Sequence, residues 1–194
     1  FIMDEKNNEF TIKEKKQHYN WVKFREIMDW LRILLLSFCV VYIFNTYIVV
    51  NANVPTGSMI PTIIPNEKIL ANRLAYTGDK SPQRGDIVIF HYPDNEEIIY
   101  VKRIIGISGD TIMIQDGQVY INDIKLVEPY IVSKPKGTYG PYEVPEGHYF
   151  MLGDNRNNSE DSRFWHNKYV EENKIIGKVM AKYGFSKPHI SKIK

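Results

Sequence analysis

Hydrophobic and polar positions divide the chain into three stretches. Residues 1–30 mix charges of both signs, with Lys6, Lys13, Lys15, Lys16, Lys23 and Arg25 set against Asp4, Glu5, Glu9, Glu14, Glu26 and Asp29. From Ile33 to Val50 run eighteen residues without a charge, ILLLSFCVVYIFNTYIVV. As a helix rising about 1.5 Å per residue, this run reaches roughly 27 Å, slightly short of the ~30 Å hydrocarbon core of a bilayer. Trp30 and Arg32 stand just before it, as an interfacial aromatic and a snorkelling cation do. The run is too long for the apolar region of a signal sequence, and no small-residue cleavage site follows it. The competing reading is a buried core helix, and the polar pair Asn45 and Thr46 weakens the membrane reading slightly. The pattern predicts a transmembrane helix over 31–50.

Beyond the apolar run the period changes from helical to two, or to short continuous apolar runs. Candidate strands are Lys68–Asn72, Asp86–Tyr92, Ile98–Ile105, Thr111–Gln115, Gln118–Asn122, His148–Leu152 and Lys174–Lys182. Asp116-Gly117 between two alternating runs predicts a hairpin with a type I′ turn. Residues 123–147, rich in Pro, Gly, Lys and Tyr, read as a loop excursion. The expected architecture is mainly β, built of antiparallel sheets, behind one N-terminal helix.

Composition narrows the classes. A 194-residue chain that is 43% hydrophobic and 25% charged is globular, with room for one domain and a small appendage. Lys and Arg total 25 against 23 Asp and Glu, a net charge of +2, which argues against a nucleic-acid-coating protein. One cysteine, Cys39, leaves no intramolecular disulfide and no Cys-based zinc site. Phe1 at the first position is compatible with a longer chain, and Met3 is a candidate start. Charge placement also suggests orientation. Seven Lys or Arg precede or abut the apolar run and none lies between Val50 and Lys68, so the positive-inside rule puts the N-terminus in the cytoplasm and residues 51–194 outside. The expected divisions are a cytoplasmic segment 1–30, the span 31–50, an extracytoplasmic domain 51–184 and a basic tail 185–194, read as a frayed terminus.

Three segments carry candidate chemistry. In VPTGSMIPT at 54–62, Pro55 and Pro61 restrict the backbone around Ser58, and Gly57 permits a tight conformation before it. A serine held this way can present its hydroxyl and its own N–H to one point, as a nucleophile with an oxyanion donor needs, though the same residues also make an ordinary linker turn. In EIIYVKRIIG at 97–106 a lysine interrupts an apolar strand. Alternation sets Tyr100, Lys102 and Ile104 on one face and Val101, Arg103 and Ile105 on the other. If the Lys102 face is inward, desolvation lowers its pKa and makes the amine a general base; if the Arg103 face is inward, Lys102 is a solvated edge residue. The pattern leaves both open. In GDNRNNSEDSR at 153–163, Asp154, Arg156, Asp161 and Arg163 can form ion pairs, and Ser159 or Ser162 can supply a hydroxyl. A calcium loop is disfavoured by the two arginines and by the carboxylate spacing.

Together these segments resemble type I signal peptidase, the membrane-bound Ser/Lys endopeptidase of protein export. PTGSMIPT around Ser58, RGDIVIF at 84–90, YVKRIIGISGD at 100–110 and GDNRNNSEDSR at 153–163 occur in the family's order behind an anchor in the family's position, over roughly residues 30–184. The single anchor and small external part resemble the Gram-positive form. The resemblance implies the fold of signal peptidases and SOS-repressor proteases, with Ser58 as nucleophile and Lys102 as general base. It further implies that Ser159 hydrogen-bonds and orients the amine, and that the Ser58 N–H and the Thr56 hydroxyl form the oxyanion hole. Asp161 and Arg163 would brace the site, with Arg103 beside the base. The family's P-G-D stands here as Ser108-Gly109-Asp110, a change in a turn. No cofactor or metal is implied. The implied partners are signal peptides of secretory preproteins and the bilayer, with proximity to the secretion translocase and no nucleic acid. The segment around Ile60 and the strand from Ile87 are the candidates for substrate pockets.

Other readings are weaker. His18, His91, His148, His166 and His189 sit in no triad or metal motif. An S-x-x-K motif fails because Pro61 stands three residues after Ser58. A self-cleaving SOS repressor needs a DNA-binding domain and no span, which the first fifty residues contradict. A catalytically silent, membrane-tethered β domain that binds peptides remains the alternative of a different class.

Overall fold

A computed structural model describes the backbone of residues 2–184 and 189–192, and the side chains of 21–184 and 190–192. The chain divides into two compact units, Phe1–Thr46 and Tyr47–Lys194. The first is one helix, α1 (Ile2–Ile43), followed by a π-helical turn, Phe44–Ile48, that runs across the boundary between the units. Trp21–Ile48 is long and apolar enough to cross a membrane, and no side chain of that segment is buried. Helical structure stops short of the expected end. Val49 and Val50 open the first strand instead, because their backbones pair with Asn72 and Ala71.

The second unit contains twelve strands among the described residues: β1 (Val49–Asn53), β2 (Lys68–Asn72), β3 (Ile87–Tyr92), β4 (Asn95–Gly106), β5 (Thr111–Gln115), β6 (Gln118–Ile121), β7 (Ile124–Lys125), β8 (Tyr139–Glu143), β9 (His148–Leu152), β10 (Tyr169–Glu171), β11 (Ile175–Gly184) and β12 (His189–Lys192). They form a large sheet in the order β1-β2-β11-β3-β4-β9-β10, with β12 added on β11, and a small sheet in the order β7-β6-β5-β8. Every pairing is antiparallel. The β5–β6 hairpin turns through Asp116 at φ 52° and Gly117 at φ 70°, the two positive dihedrals of a type I′ turn.

Each seven-residue or shorter apolar run reads differently once its two faces are known. β3 is apolar at consecutive positions because both its faces are covered. Ile87 and Ile89 pack with Val54, Met59, Ile63 and Ile69, while Val88 and Phe90 pack with Ile104, Met151 and Trp165. A third cluster joins the sheets, with Phe150 and Leu152 of β9 against Ile112, Ile114 and Val119 of the small sheet. The excursion 123–147 is more ordered than its composition suggests: β7 and β8 close the small sheet on β6 and β5. Part of the basic tail is also a strand, β12, paired with Ala181–Gly184, rather than a frayed end. Positions 185–188 and 193–194 of that tail lie outside the described residues.

Candidate active site

Ser58 lies in the loop between β1 and β2, and the loop is held from both ends. Its neck is closed by backbone bonds from Val54 N to Glu67 O at 3.0 Å and from Asn66 N to Val54 O at 2.8 Å. Met59 and Ile63, fully buried, anchor its middle in the core. The Ile63 N–H donates to Met59 O at 2.9 Å, a helical turn immediately after the serine. Gly57 does not use the left-handed region; a Cβ there would press on Ile60 Cδ1 at 3.0 Å, so close packing rather than an unusual dihedral favours glycine.

The 153–163 loop grips the serine loop from the other side. Asn155 donates through its backbone N–H to Ser58 O at 3.0 Å and through Nδ2 to Gly57 O at 3.0 Å. Thr62 Oγ1 donates to Asp154 Oδ2. Gly153 is required by this contact, since a Cβ would fall 2.6 Å from Ser58 O and 2.2 Å from Ser159 Oγ.

Strand β4 brings the amine. Lys102 Nζ donates to Ser58 Oγ at 2.8 Å, and the lysine is 4% exposed and the serine 8%. Burial is the largest influence on this lysine and lowers its pKa from 10.5 to about 8. The carboxylates of Asp161 and Glu160 oppose that shift, Arg163 adds to it, and Asp154 opposes it. The Tyr100 ring centroid is 5.2 Å from Nζ.

Lys102 is not a solvated edge residue, yet the inward placement of Arg103 that went with that alternative is also found. Arg103 is also buried, at 2% exposure, because the sheet is covered on both faces. Its Nε and Nη2 grip Asp154 Oδ1 and Oδ2 at 2.8 and 2.7 Å, Nη1 donates to Gly85 O at 2.7 Å, and its guanidinium carbon stacks 3.9 Å from the Tyr130 ring centroid. Asp161 pairs with Arg163 Nε and Nη2 at 2.7 and 2.8 Å and accepts the Gly153 N–H at 3.1 Å. Arg84 bridges to Asp110 at 2.9 Å, tying the 84–90 motif to the Ser108-Gly109-Asp110 turn.

Thr56 Oγ1 lies 3.4 Å from Ser58 Oγ, with either oxygen able to donate. Ser159 departs from expectation. Its Oγ is buried without any hydrogen-bond partner, so the expected bond to the lysine amine is not made; the hydroxyl is turned toward Gly153. Of the histidines with described side chains, His91 and His148 bond only to the nearby carbonyls of Glu96 and Glu146.

The dyad opens onto a cleft of about 510 Å³ lined by residues 52–58 and 98–102 with Asn158 and Glu160. Of the segment around Ile60, Thr56, Gly57 and Ser58 line it while Ile60 itself does not, and no residue of the strand from Ile87 is among its lining. Ile87 belongs to the core under the serine loop, and the exposed apolar walls come from β4 at Ile98 and Ile99. Sequence reasoning also missed Glu128, whose carboxylate receives Arg156 Nη1 at 2.8 Å and Nη2, while Arg156 Nε donates to Gly153 O at 3.0 Å. Glu128 lies in the aperiodic excursion, where no pattern marks a buried carboxylate. Asn155 was legible as part of the GDNR motif, but its partners 97 and 98 positions away in sequence were not.

A mostly antiparallel unit with a buried serine–lysine contact at the side of a cleft, following an apolar helix, defines a candidate membrane-anchored hydrolase of the serine class. Comparison with known proteins makes the class specific. The family model described as "Signal peptidase, peptidase S26" matches residues 27–184. The chain is 37% identical over 183 residues to signal peptidase I T of Bacillus subtilis, covering 88% of each. It is 33% identical over 176 residues to a probable signal peptidase I-2 of Synechocystis, covering 88% of this chain and 77% of that one. A crystal structure of a signal peptidase I from Enterococcus faecalis aligns with a TM-score of 0.44 at 36% identity, over 52% of this chain and 98% of that one. The chain belongs to the signal peptidase family, peptidase S26. Membership supports serine peptidase activity, and the apolar N-terminal helix supports a membrane anchor.

Proposed function

We propose that the protein is a membrane-bound endopeptidase that removes signal peptides from exported preproteins after A-x-A-like sites, by acyl transfer through Ser58 and Lys102. The observation that carries this reading is the 2.8 Å contact of Lys102 Nζ with Ser58 Oγ inside a desolvated pocket. In its neutral form the amine accepts the Ser58 proton as Oγ attacks the peptide carbonyl. The oxyanion is held by the Ser58 N–H and the Thr56 hydroxyl. The resulting ammonium protonates the leaving amine as the C–N bond breaks. Water then loses a proton to the same lysine, attacks the acyl-enzyme ester and releases the acid, with Oγ regaining its proton. Asp161–Arg163 and Arg103–Asp154 brace the loop and strand that carry the pair.

In this reading residues 1–30 are cytoplasmic, the span ends near Ile48, and the β unit lies outside the membrane. With the span ending near Ile48, the ten residue steps to Ser58 keep it within about 36 Å of the span at 3.3–3.6 Å per residue. A signal peptide presents its cleavage site just past an apolar segment seated in the bilayer, so nucleophile and scissile bond meet at one surface. The bound segment adds as an extended strand beside residues 52–58 and 98–102.

The test is incubation of detergent-solubilised protein with a peptide spanning an A-x-A site. Single-site cleavage is expected, lowered about 10²–10⁴-fold or more in Lys102→Ala. Absence of product from the wild type, or equal product from the variant, overturns the reading. Thr56→Val is expected to stay folded and to raise the barrier by about 2.7–4 kcal/mol, read as a fall in kcat.

A further inference from the structure

The cleft beside Ser58 has one carboxylate on its lining. Its walls are residues 52–58 and 98–102, whose polar members are the side chains of Asn53, Thr56, Ser58, Tyr100 and Lys102, and it is completed by Asn158 and Glu160. Lys102 works as a neutral amine in the reading above. In the reactive form, with Lys102 deprotonated as it is above about pH 8, the lining therefore has one formal charge, the exposed carboxylate of Glu160. Neighbouring acids are engaged elsewhere: Asp161 pairs with Arg163 and Asp154 with Arg103. Among the described residues no hydrogen bond or ion pair of the Glu160 carboxylate is recorded, whereas its charge acts on Lys102, Tyr100 and Tyr92 around the cleft.

We infer that Glu160 is a specificity-determining residue, whose carboxylate favours substrates carrying Lys or Arg where the bound peptide passes it and disfavours Asp or Glu there. The inference rests on the peptidase reading of this cleft. Glu160, Ile98 and Ile99 are solvent-exposed in the cleft; a peptide seated across them displaces part of that water and reduces the screening of the carboxylate, and a like charge brought against it is repelled. The same charge opposes the neutral form of Lys102, so it also sets where on the pH axis the base becomes available. The other groups acting on that lysine, Asp161, Arg163 and Asp154, are buried in ion pairs that do not involve Glu160.

The experiment uses the full chain in detergent with a neutral parent peptide spanning an A-x-A site, and with variants bearing one Lys or one Glu at each position flanking the scissile bond. At one or more positions the wild type is expected to cleave the Lys peptide about five- to tenfold faster than the Glu peptide, judged by kcat/KM, with the ratio shrinking between low and high salt. Glu160→Gln is expected to bring the ratio to about one, Glu160→Lys to invert it, and Glu160→Asp to retain it. Glu160→Gln also moves the ascending limb of the pH profile to lower pH, which a purely structural loss does not do. Equal Lys-to-Glu ratios in wild type and Glu160→Gln at every position, with the parent peptide cleaved by both, overturn the inference alone. Failure of the wild type to cleave the parent peptide overturns the peptidase reading beneath it.

Discussion

Lys102 and Arg103 are neighbours on β4, one on each face of the large sheet, and both are almost fully withdrawn from water. The two faces treat a buried cation in opposite ways. Arg103 meets a carboxylate in bidentate geometry, a carbonyl and an aromatic ring, so its charge is matched group for group. Lys102 meets a serine hydroxyl and an aromatic ring, and the carboxylates that act on it from Asp161 and Asp154 are committed to arginines. A buried cation with a dedicated counter-ion keeps its charge and serves as structure. A buried cation without one loses the preference for charge and becomes available as a base.

The largest effect should come from removing the counter-ion on the Arg103 side. Asp154→Ala strands a buried guanidinium and frees Thr62, and a loss of about 3–5 kcal/mol in urea-unfolding free energy is expected. A loss under about 1 kcal/mol would mean that the two faces are not so different. The Lys102 side should show the opposite sign. Its folded pKa of about 8 lies below the unfolded 10.5, so protonation costs more in the folded state. That penalty is absent above pH 10.5, grows as pH falls toward 8 and is complete below 8. Lys102→Met is therefore expected to be more stable than the wild type at pH 6 by on the order of 3 kcal/mol, a gain that fades as pH rises through 8 to 10.5. A variant less stable than the wild type at pH 6 breaks the comparison. The smallest effect, in energy, is on the rate profile: kcat/KM should climb with pH along a limb centred near 8, and a limb centred near 10.5 would mean that the amine is not desolvated during catalysis.

Local pattern reached much of this arrangement. The Asp116-Gly117 hairpin, the strands at 68–72, 111–115 and 148–152, and the apolar run before Val49 follow from turn chemistry and period, which depend on neighbours in sequence. The residues Ser58, Lys102, Arg103, Asp161 and Arg163 were legible because they lie in three of the four motifs of recognisable order. Short strands with no period of their own were not legible. β8 contains Gly140 and Pro141, and β10 has three residues; each exists because a partner strand offers its edge. Ser159 shows the reverse failure, since its motif position is legible while the direction of its hydroxyl depends on the packing against Gly153.

By itself, then, the order of residues determined an apolar helix followed by an antiparallel β unit, because hydrophobic period and turn dihedrals are properties of contiguous chain, while the serine and lysine stood out only through motifs that resemble a known family. Only the tertiary structure decided that both faces of β4 are dry from Lys102 to Gly106, that Asp154 goes to Arg103 while Lys102 has no ion pair, and that Glu128 bolts the excursion to Gly153 through Arg156. Burial and charge pairing are set by what other segments bring within a few ångströms, and no window of sequence contains that information.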